Sequence, residues 1–283
     1  MERRDFLTAL ATGVMLVGLA PKVLAEIVRI PSASPSQKYD DHIKDYLHKM
    51  RHFDEPHEED VYLDRERFQL LKSSLKRLKR LQGTIGHGNF HLLNFDDALK
   101  IARSYPSVGR FPKDELDFLE MIFYEDCTRF GFFGRKPIKS LTCWIGKQEV
   151  VKIPHTGNYL YKGLPLETYK RIKQDVGDQM ILTSGVRSVT KQFLLFLNKA
   201  HKSRGNLSLV SRSLAPPGYS FHGVGDFDVG QIGFGAANFS ERFTTTEVYR
   251  KLVDLGHINL RYPQDNVLGV RFEPWHIKAN SNG

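Results

Sequence analysis

The feature that most constrains this fold is a glycine-rich segment, Ser220 to Asp228, which holds a histidine and a carboxylate six residues apart. In a regular strand, at about 3.3 Å per residue, His222 and Asp228 would lie roughly 20 Å apart. One zinc ion needs each ligand atom at about 2 Å, so shared ligation requires the chain to turn between them. Gly223 and Gly225 supply the backbone freedom for that turn. Taken alone, the segment is equally compatible with a glycine-rich surface hairpin.

A second segment, Glu273-Pro274-Trp275-His276, supplies what the first one lacks. Pro274 opposes a helix interior, so this is not the helical His-Glu-x-x-His zinc motif. An extended or turned segment would instead present Glu273 and His276 to one pocket. His222, Asp228 and His276 then provide three ligands with an open position for water, and Glu273 provides a base, as in hydrolytic zinc sites. We therefore predict Zn²⁺ as the cofactor, although this ligand set also suits other first-row metals.

Hydrophobic periodicity predicts two regions of different character. Helical spacing of apolar residues marks three segments before Pro137: 64–81, 94–104 and 113–130. Residues 26–137 are therefore predicted to be mainly helical. Beyond Pro137, short runs of β-type residues appear at 150–153, 180–183, 206–210, 227–229, 257–261 and 267–272. Helical patterns separate them at 165–176, 190–204 and 246–255.

This order of elements predicts an α+β fold. In residues 138–283, helices would pack on a small antiparallel sheet that carries the zinc site, preceded by the mainly helical N-terminal region. The two cysteines of the chain, Cys127 and Cys143, either form one disulfide or remain free thiols. No Cys-x-x-Cys pair is present in the sequence, so a thiolate zinc site is excluded.

The first 25 residues are typical of an export signal. Arg3 and Arg4 form a charged start, an apolar run comes after them, and small residues precede Glu26. The sequence Arg3-Arg4-Asp5-Phe6-Leu7 resembles the twin-arginine signal, which implies export of an already folded protein. We therefore expect a periplasmic or extracytoplasmic protein. An uncleaved signal is the alternative, and it would be the protein's route to a membrane.

The net charge bears on the partners. The chain carries a formal charge of +9 and a pI of about 9.4, which favours anionic partners such as nucleic acid, lipid or a wall polymer. No nucleic-acid-binding motif accompanies this charge, and export argues against such a partner. We therefore predict no nucleic-acid function.

Four sequence motifs together resemble one family of zinc peptidases, and the resemblance covers roughly residues 160–278. The motifs are Ser184-Gly185-Val186-Arg187-Ser188, Gln192, Pro217-Gly218-Tyr219-Ser220-Phe221-His222 and Glu273-Pro274-Trp275-His276. In this combination they are similar to the VanY-type D-alanyl-D-alanine carboxypeptidases. The resemblance implies an enzyme that removes a C-terminal D-alanine from peptidoglycan stem peptides.

The same resemblance implies a role for each matching residue. His222, an aspartate and His276 would hold zinc, and Glu273 would be the general base. Arg187 would polarise the scissile carbonyl and stabilise the oxyanion. The substrate-binding residues that it implies are Ser188, Gln192 and Ser220.

One departure from the family pattern leaves the aspartate open. The family places six residues between its first histidine and its aspartate, whereas five separate His222 from Asp228. Asp228-Val229-Gly230 aligns best with the family's ligand and the residues after it, so we predict Asp228, with Asp226 as the alternative. L,D-carboxypeptidase or murein endopeptidase activity, and a non-catalytic wall-binding protein on the same fold, are the competing functions.

Overall fold

The computed structural model describes residues 45–279. The segment predicted to be an export signal, residues 1–25, lies outside the described residues, as do residues 26–44 of the predicted N-terminal region. None of the helices between residues 45 and 279 combines the length and the apolar character that crossing a membrane requires.

The first half of the described chain is helical, as predicted. After a helical segment at residues 45–51, the helices of this half are α1 (Arg65–Ile85), α2 (His87–Phe90), α3 (Phe95–Ser104) and α4 (Lys113–Tyr124). Asp64 caps α1 by accepting a hydrogen bond from the backbone amide of Arg67 at 2.8 Å. Helix α4 is shorter than its apolar pattern predicts, because Asp126 caps a separate 3₁₀ turn, Cys127–Phe130. Cys127 and Cys143 are free thiols.

The second half is mixed. Its helices are α5 (Leu164–Val176), α6 (Val189–Lys202), α7 (Leu207–Ser211) and α8 (Glu247–Asp254). Its strands are β1 (Val150–Lys152), β2 (Tyr159–Tyr161), β3 (Met180–Ser184), β4 (Phe227–Gln231) and β5 (His276–Ile277). Strands β1 and β2 form an antiparallel pair, and β3, β4 and β5 form an antiparallel sheet with β4 in the centre. The predicted α+β class is confirmed.

Strand pairing in the central sheet brings distant parts of the sequence side by side. Asp228 on β4 is paired with Ser184 on β3 and with His276 on β5. The pairing of β3 with β4 shifts between Leu182 and Ser184, so the motif that comes after β3 starts at an irregularity. The sheet thus places one predicted ligand beside another.

Three of the predicted strands are wrong. The segment predicted at 206–210 begins α7 instead, because the Asn206 side chain accepts a hydrogen bond from the amide of Leu209 and caps the helix. Residues 257–261 contribute a single bridge, from Leu260 to Ile277. Residues 267–272 form no strand. Within the described chain, neither of the last two segments pairs along its length with another strand.

Two large apolar cores lie among the described residues. The first joins α1, α3 and α4 to α6, with Leu78, Phe123 and Phe193 almost wholly buried. The second lies between the central sheet and the helices α5 and α8. Helix α6 belongs to the half that begins at residue 138 yet packs in the first core, so this core spans the predicted boundary. That boundary stays a prediction.

Candidate metal centre and active-site cleft

Three of the predicted ligands meet at one point. Asp228 lies on β4, His276 on β5, and His222 in the 3₁₀ turn Phe221–Gly223 that precedes β4. Each offers one ligand atom, and these atoms lie within 4.8 Å of one another. The Oδ1 atom of Asp228 is 3.2 Å from Nε2 of His222 and 3.5 Å from Nδ1 of His276. All three side chains are buried.

The turn between His222 and Asp228 depends on the two glycines that the sequence singled out. Gly225 has φ of +129°, a value that a residue with a side chain rarely adopts. A Cβ atom on Gly223 would lie 2.3 Å from the Cδ1 atom of Ile138, so any larger residue would force that side chain to move. The turn replaces an extended segment and brings the two ligands together.

Hydrogen bonds fix the orientation of both imidazoles. Nδ1 of His222 donates to the carbonyl oxygen of Gly185 at 2.8 Å, and Nε2 of His276 donates to Asp226 at 3.2 Å. In each ring the opposite nitrogen then faces the shared point. Such outer contacts hold the tautomer and raise the basicity of a metal-binding imidazole.

The group fits a metal ion. Nε2 of His222 and Oδ1 of Asp228 are buried and have no hydrogen-bond partner. A buried polar atom without a partner costs about 1–3 kcal/mol, so two such atoms facing each other call for a ligand. Two imidazoles and one carboxylate are a donor set typical of catalytic zinc, with further positions left open. In residues 45–279, no other group of three histidine, cysteine or acidic side chains has this geometry.

The position of Asp226 explains why it is not part of this group. Its carboxylate accepts two hydrogen bonds from Arg261, at 2.7 and 3.2 Å, and one from the backbone amide of Ala279. Burial raises its pKa, but the hydrogen bonds of His276 and Arg261 outweigh this effect and hold the pKa at about 2. Asp226 therefore orients His276 from behind, and the geometry favours Asp228 as the ligand.

The electrostatics of the two imidazoles differ. Burial lowers the pKa of His276, but its hydrogen bonds with Asp226 and Glu273 outweigh burial and raise the pKa to about 10. Burial also lowers the pKa of His222, and there the charge of Arg187 adds to it. A metal requires both rings in the neutral form at the ligand nitrogen, so at neutral pH binding would release a proton from His276.

Glu273 lies directly beside the metal group. Its Oε2 atom is 3.1 Å from Nδ1 of His276, the nitrogen that faces Asp228. The backbone amide of Glu273 donates to the carbonyl of Tyr262 at 3.0 Å, which fixes the chain before Pro274. Glu273 also lines the cleft that contains the three ligands. A base for water is expected at this position.

Arg187 reaches the same cleft from the segment after β3. Its Nη2 atom donates to Oδ2 of Asp228 at 2.9 Å, and its Nε atom donates to Ser184 at 3.0 Å. These two bonds leave other guanidinium N–H groups for a substrate. Arg187 can thus hold Asp228 and face a reacting carbonyl.

The three predicted substrate-binding residues lie in different places. Ser220 lines the cleft. Ser188 and Gln192 do not: Ser188 caps α6 by accepting from the amide of Lys191 at 3.2 Å, and the Gln192 amide donates to the carbonyl of Ala215. Ala215 lines the cleft. Gln192 therefore supports a residue of the cleft wall and does not line the cleft itself.

Sequence reasoning missed several residues of the cleft. Arg271, Tyr262 and Ser213 line it, and Arg261 supports it through Asp226. The Tyr262 ring lies 5.3 Å from that of His276, edge to face. Arg271 stands two residues before Glu273, a spacing that places both side chains on the same face of an extended segment. This spacing is the one signal in the sequence that could have indicated Arg271.

Two imidazoles and a carboxylate, with a second carboxylate beside them, have the composition of a hydrolytic metal site. Residues 166–279 match the family model described as VanY, D-alanyl-D-alanine carboxypeptidase. The resemblance seen in the sequence is confirmed over that range, which is less than half of the chain. The predictions of a zinc metallopeptidase and of Zn²⁺ as its cofactor agree with this match and with the donor set of the site. The search of curated proteins gives no match.

Solved structures similar to part of this chain include the following three. An LdcB LD-carboxypeptidase is 23% identical, with a TM-score of 0.37 and coverage of 43% of this chain and 59% of its own. VanYB in complex with D-alanine-D-alanine is 25% identical, with a TM-score of 0.37 and coverage of 47% and 78%. A D,D-pentapeptidase VanY in complex with Zn(II) is 23% identical, with a TM-score of 0.35 and coverage of 46% and 78%. The chain thus spans about three fifths of the LdcB structure's length.

Proposed function

We propose that the protein is an exported zinc-dependent peptidase that removes the terminal D-alanine from peptidoglycan stem peptides. The observation that carries this proposal is the position of Glu273, whose carboxylate lies 3.1 Å from the ligand nitrogen of His276 in the cleft of the metal group. The match of residues 166–279 to the D-alanyl-D-alanine carboxypeptidase family supports the choice of substrate.

The residues of the cleft divide the work of peptide hydrolysis. His222, Asp228 and His276 would hold Zn²⁺, which would supply Lewis-acid polarisation of a carbonyl and a lowered pKa for water. Glu273 accepts the proton of the attacking water and later delivers it to the leaving amine. Arg187 donates a hydrogen bond to the oxyanion, a contribution typically of about 2.7–4 kcal/mol to the barrier. Asp226 keeps His276 in the required tautomer.

Export is proposed from the first residues of the chain. Arg3-Arg4-Asp5-Phe6-Leu7 resembles a twin-arginine signal, and the formal charge of +9 suits an anionic wall polymer. Folding before export would let the buried ligands acquire their metal in the cytoplasm. A fusion of residues 1–30 to a reporter that is exported only when folded tests this, with Arg3→Lys and Arg4→Lys together as the control.

The experiment for the activity is a digest of muropeptides. Zinc-loaded protein is incubated with tetrapeptide stems, pentapeptide stems and cross-linked dimers, and the products are identified by mass spectrometry, with Glu273→Gln as the matched variant. Loss of one D-alanine from the pentapeptide, absent in the variant, is the expected result. Loss of D-alanine from the tetrapeptide alone indicates an L,D-carboxypeptidase, and cleavage of dimers alone an endopeptidase. No product from any substrate, with zinc bound, would contradict the proposal and favour a wall-binding protein.

A further inference from the structure

The cleft contains a second set of polar groups besides those of the metal centre. Arg271 and Ser213 both line it, and Lys199 on α6 contacts Ser213 from behind. The backbone amide of Arg271 donates to the carbonyl of Arg212 at 2.8 Å, so Arg271 and Ser213 are held on adjoining pieces of chain. We propose that Lys199, Ser213 and Arg271 form a subsite that binds a carboxylate of the substrate. This inference rests on the proposed peptidase function.

Arg271 is held in place but has a donor to spare. Its guanidinium carbon lies 4.6 Å from the centre of the Phe53 ring and 4.8 Å from that of Trp275. One of its terminal nitrogens donates to the carbonyl of Phe239 at 2.8 Å. Its Nε atom is buried without a partner. Because arginine keeps its charge and can only donate, this N–H group requires an acceptor.

Ser213 supplies the second free hydrogen-bond donor of this subsite. The Lys199 ammonium group donates to its Oγ atom. Since an ammonium group cannot accept, the serine oxygen is the acceptor, and its own hydroxyl hydrogen remains to be donated elsewhere. Ser213 faces the cleft, so that donor is available to a ligand there.

Neither cation of this subsite is paired directly with a carboxylate of the described residues. Burial and the charge of Arg271 lower the pKa of Lys199 to about 8, against the opposing charges of Glu273 and Asp54. Glu241, Glu273 and Asp54 are the carboxylates whose charge acts on Arg271. In residues 45–279, none of these carboxylates accepts a hydrogen bond from Arg271 or Lys199, whose partners are the Phe239 carbonyl and Ser213. The acceptor is therefore still to be supplied.

A carboxylate matches this donor set. Hydrogen bonds from charged donors to carboxylates are about twice as strong as neutral ones, and an arginine beside a hydroxyl suits a planar anion. A stem peptide offers two sources, its C-terminal carboxylate and a carboxylate on one of its side chains. Both would reach the cleft on the same molecule as the scissile bond.

The subsite depends on residues outside the family match. Phe53, which supports Arg271, belongs to residues 45–63. That segment is fixed to α7 and its surroundings: Arg212 pairs with Asp60 and donates to the Glu55 carbonyl at 3.0 Å. The amide of Leu207 donates to the carbonyl of Val61 at 2.8 Å. The N-terminal segment thus shapes one side of the cleft and through it the choice of substrate.

Binding to zinc-loaded Glu273→Gln protein tests the inference without turnover. Calorimetric titrations use three peptides that end in D-alanine-D-alanine: one with a neutral side chain before them and a free C-terminus, the same peptide with a C-terminal amide, and one with a carboxylate-bearing side chain. Arg271→Gln and Ser213→Ala are added to the Glu273→Gln background, and Lys202→Met, an exposed lysine on α6, is the matched control.

We expect Arg271→Gln to raise the Kd about 10- to 100-fold, as for the loss of a hydrogen bond to a charged group, and Ser213→Ala to raise it less. If the amidated peptide shows no effect of Arg271→Gln, the subsite binds the C-terminal carboxylate. If only the peptide with the extra carboxylate shows it, the subsite binds the side chain. Thermal unfolding of each variant shows that it is folded.

Changes of less than threefold for every peptide in folded Arg271→Gln protein, or no binding of any peptide to the parent, would overturn the inference. The outcome of the muropeptide digest, which tests the peptidase activity, is independent of the outcome of these binding measurements. Carboxylate binding that depends on Arg271 in a protein without peptidase activity refutes the proposed function and retains the subsite.

Discussion

The helical region at residues 65–137 and the sheet region at residues 166–279 bury very different side chains. In the helical region buried charge is represented by Glu115, which receives hydrogen bonds from Arg77 at 2.7 and 3.2 Å. In the sheet region, His222, Asp228 and His276 are buried together, and two of their atoms have no partner. Burying polar groups without partners costs stability. The buried side chains of the helical region therefore stabilise the fold, whereas the buried metal-binding side chains of the sheet region lower its stability when they lack partners.

The comparison predicts that substitutions in the two regions separate activity from stability. Changes in the sheet region should remove function from a folded protein. Changes in the helical core should unfold a protein whose site is otherwise intact.

The largest effect is expected for Glu273→Gln. This substitution keeps the shape of the side chain and removes the base, so peptidase activity should fall about 10²- to 10⁴-fold. Bound zinc, measured by elemental analysis, should be unchanged because Glu273 is not in the ligand group. Loss of zinc together with activity would show that Glu273 helps to hold the metal and would blur the distinction between base and ligand.

The next effect tests the helical region. Leu78 on α1 is 1% exposed, and Leu78→Ala should lower the free energy of unfolding by about 2–5 kcal/mol through lost burial and a cavity. Urea unfolding measures this, with exposed Lys79→Ala on the same helix as the control. Activity per folded molecule should be unchanged. A fall in that activity at constant stability would show that the helical region takes part in catalysis.

The sequence predicted the two regions with unequal success. Periodicity located α1 and α3 because their caps, Asp64 and Asn94, and their apolar faces are local features. The β-type composition of residues 206–210 and 267–272 predicts strands, but composition alone does not show whether a partner strand exists. Pairing with a partner is a long-range property, and one sequence does not display it.

The candidate site was predictable where chemistry sits in short motifs. His222, Asp228, Glu273 and His276 were identified from spacing and resemblance, and the structure brings them together. Ser188 and Gln192 belong to matching motifs but serve α6 and the cleft wall. Arg271 and Ser213 were missed because their neighbours, Phe53 and Lys199, are distant in sequence.

A smaller effect, on metal affinity, is expected for Asp226, which contacts His276 on the side away from the other ligands. Asp226→Asn removes the charge that orients His276 while keeping a hydrogen-bond acceptor, and loss of such an outer partner typically costs about 10- to 100-fold in metal affinity. Competition with a fluorescent zinc chelator measures the change. Asp228→Asn should reduce the affinity further. The reverse order would make Asp226 the ligand and overturn the distinction between the two aspartates.

The smallest effect concerns Lys199, where the two regions meet. Its pKa of about 8 lies below the value of about 10.4 for an unfolded lysine. Between these pH values the unfolded chain keeps a proton that the native lysine has lost, so this group makes the protein more stable as pH rises from about 8 to 10.4. Lys199→Met should lack that increment.

Urea unfolding at several pH values between about 7 and 10.5 measures this difference. The wild-type free energy of unfolding should gain on that of Lys199→Met as pH rises, whereas exposed Lys202→Met should run parallel to the wild type. Comparing variants at one metal loading removes the titration of the metal ligands, which all three proteins share. Parallel curves for Lys199→Met would mean that its ammonium group finds solvent or a carboxylate, and that the helix between the two regions buries no unpaired charge.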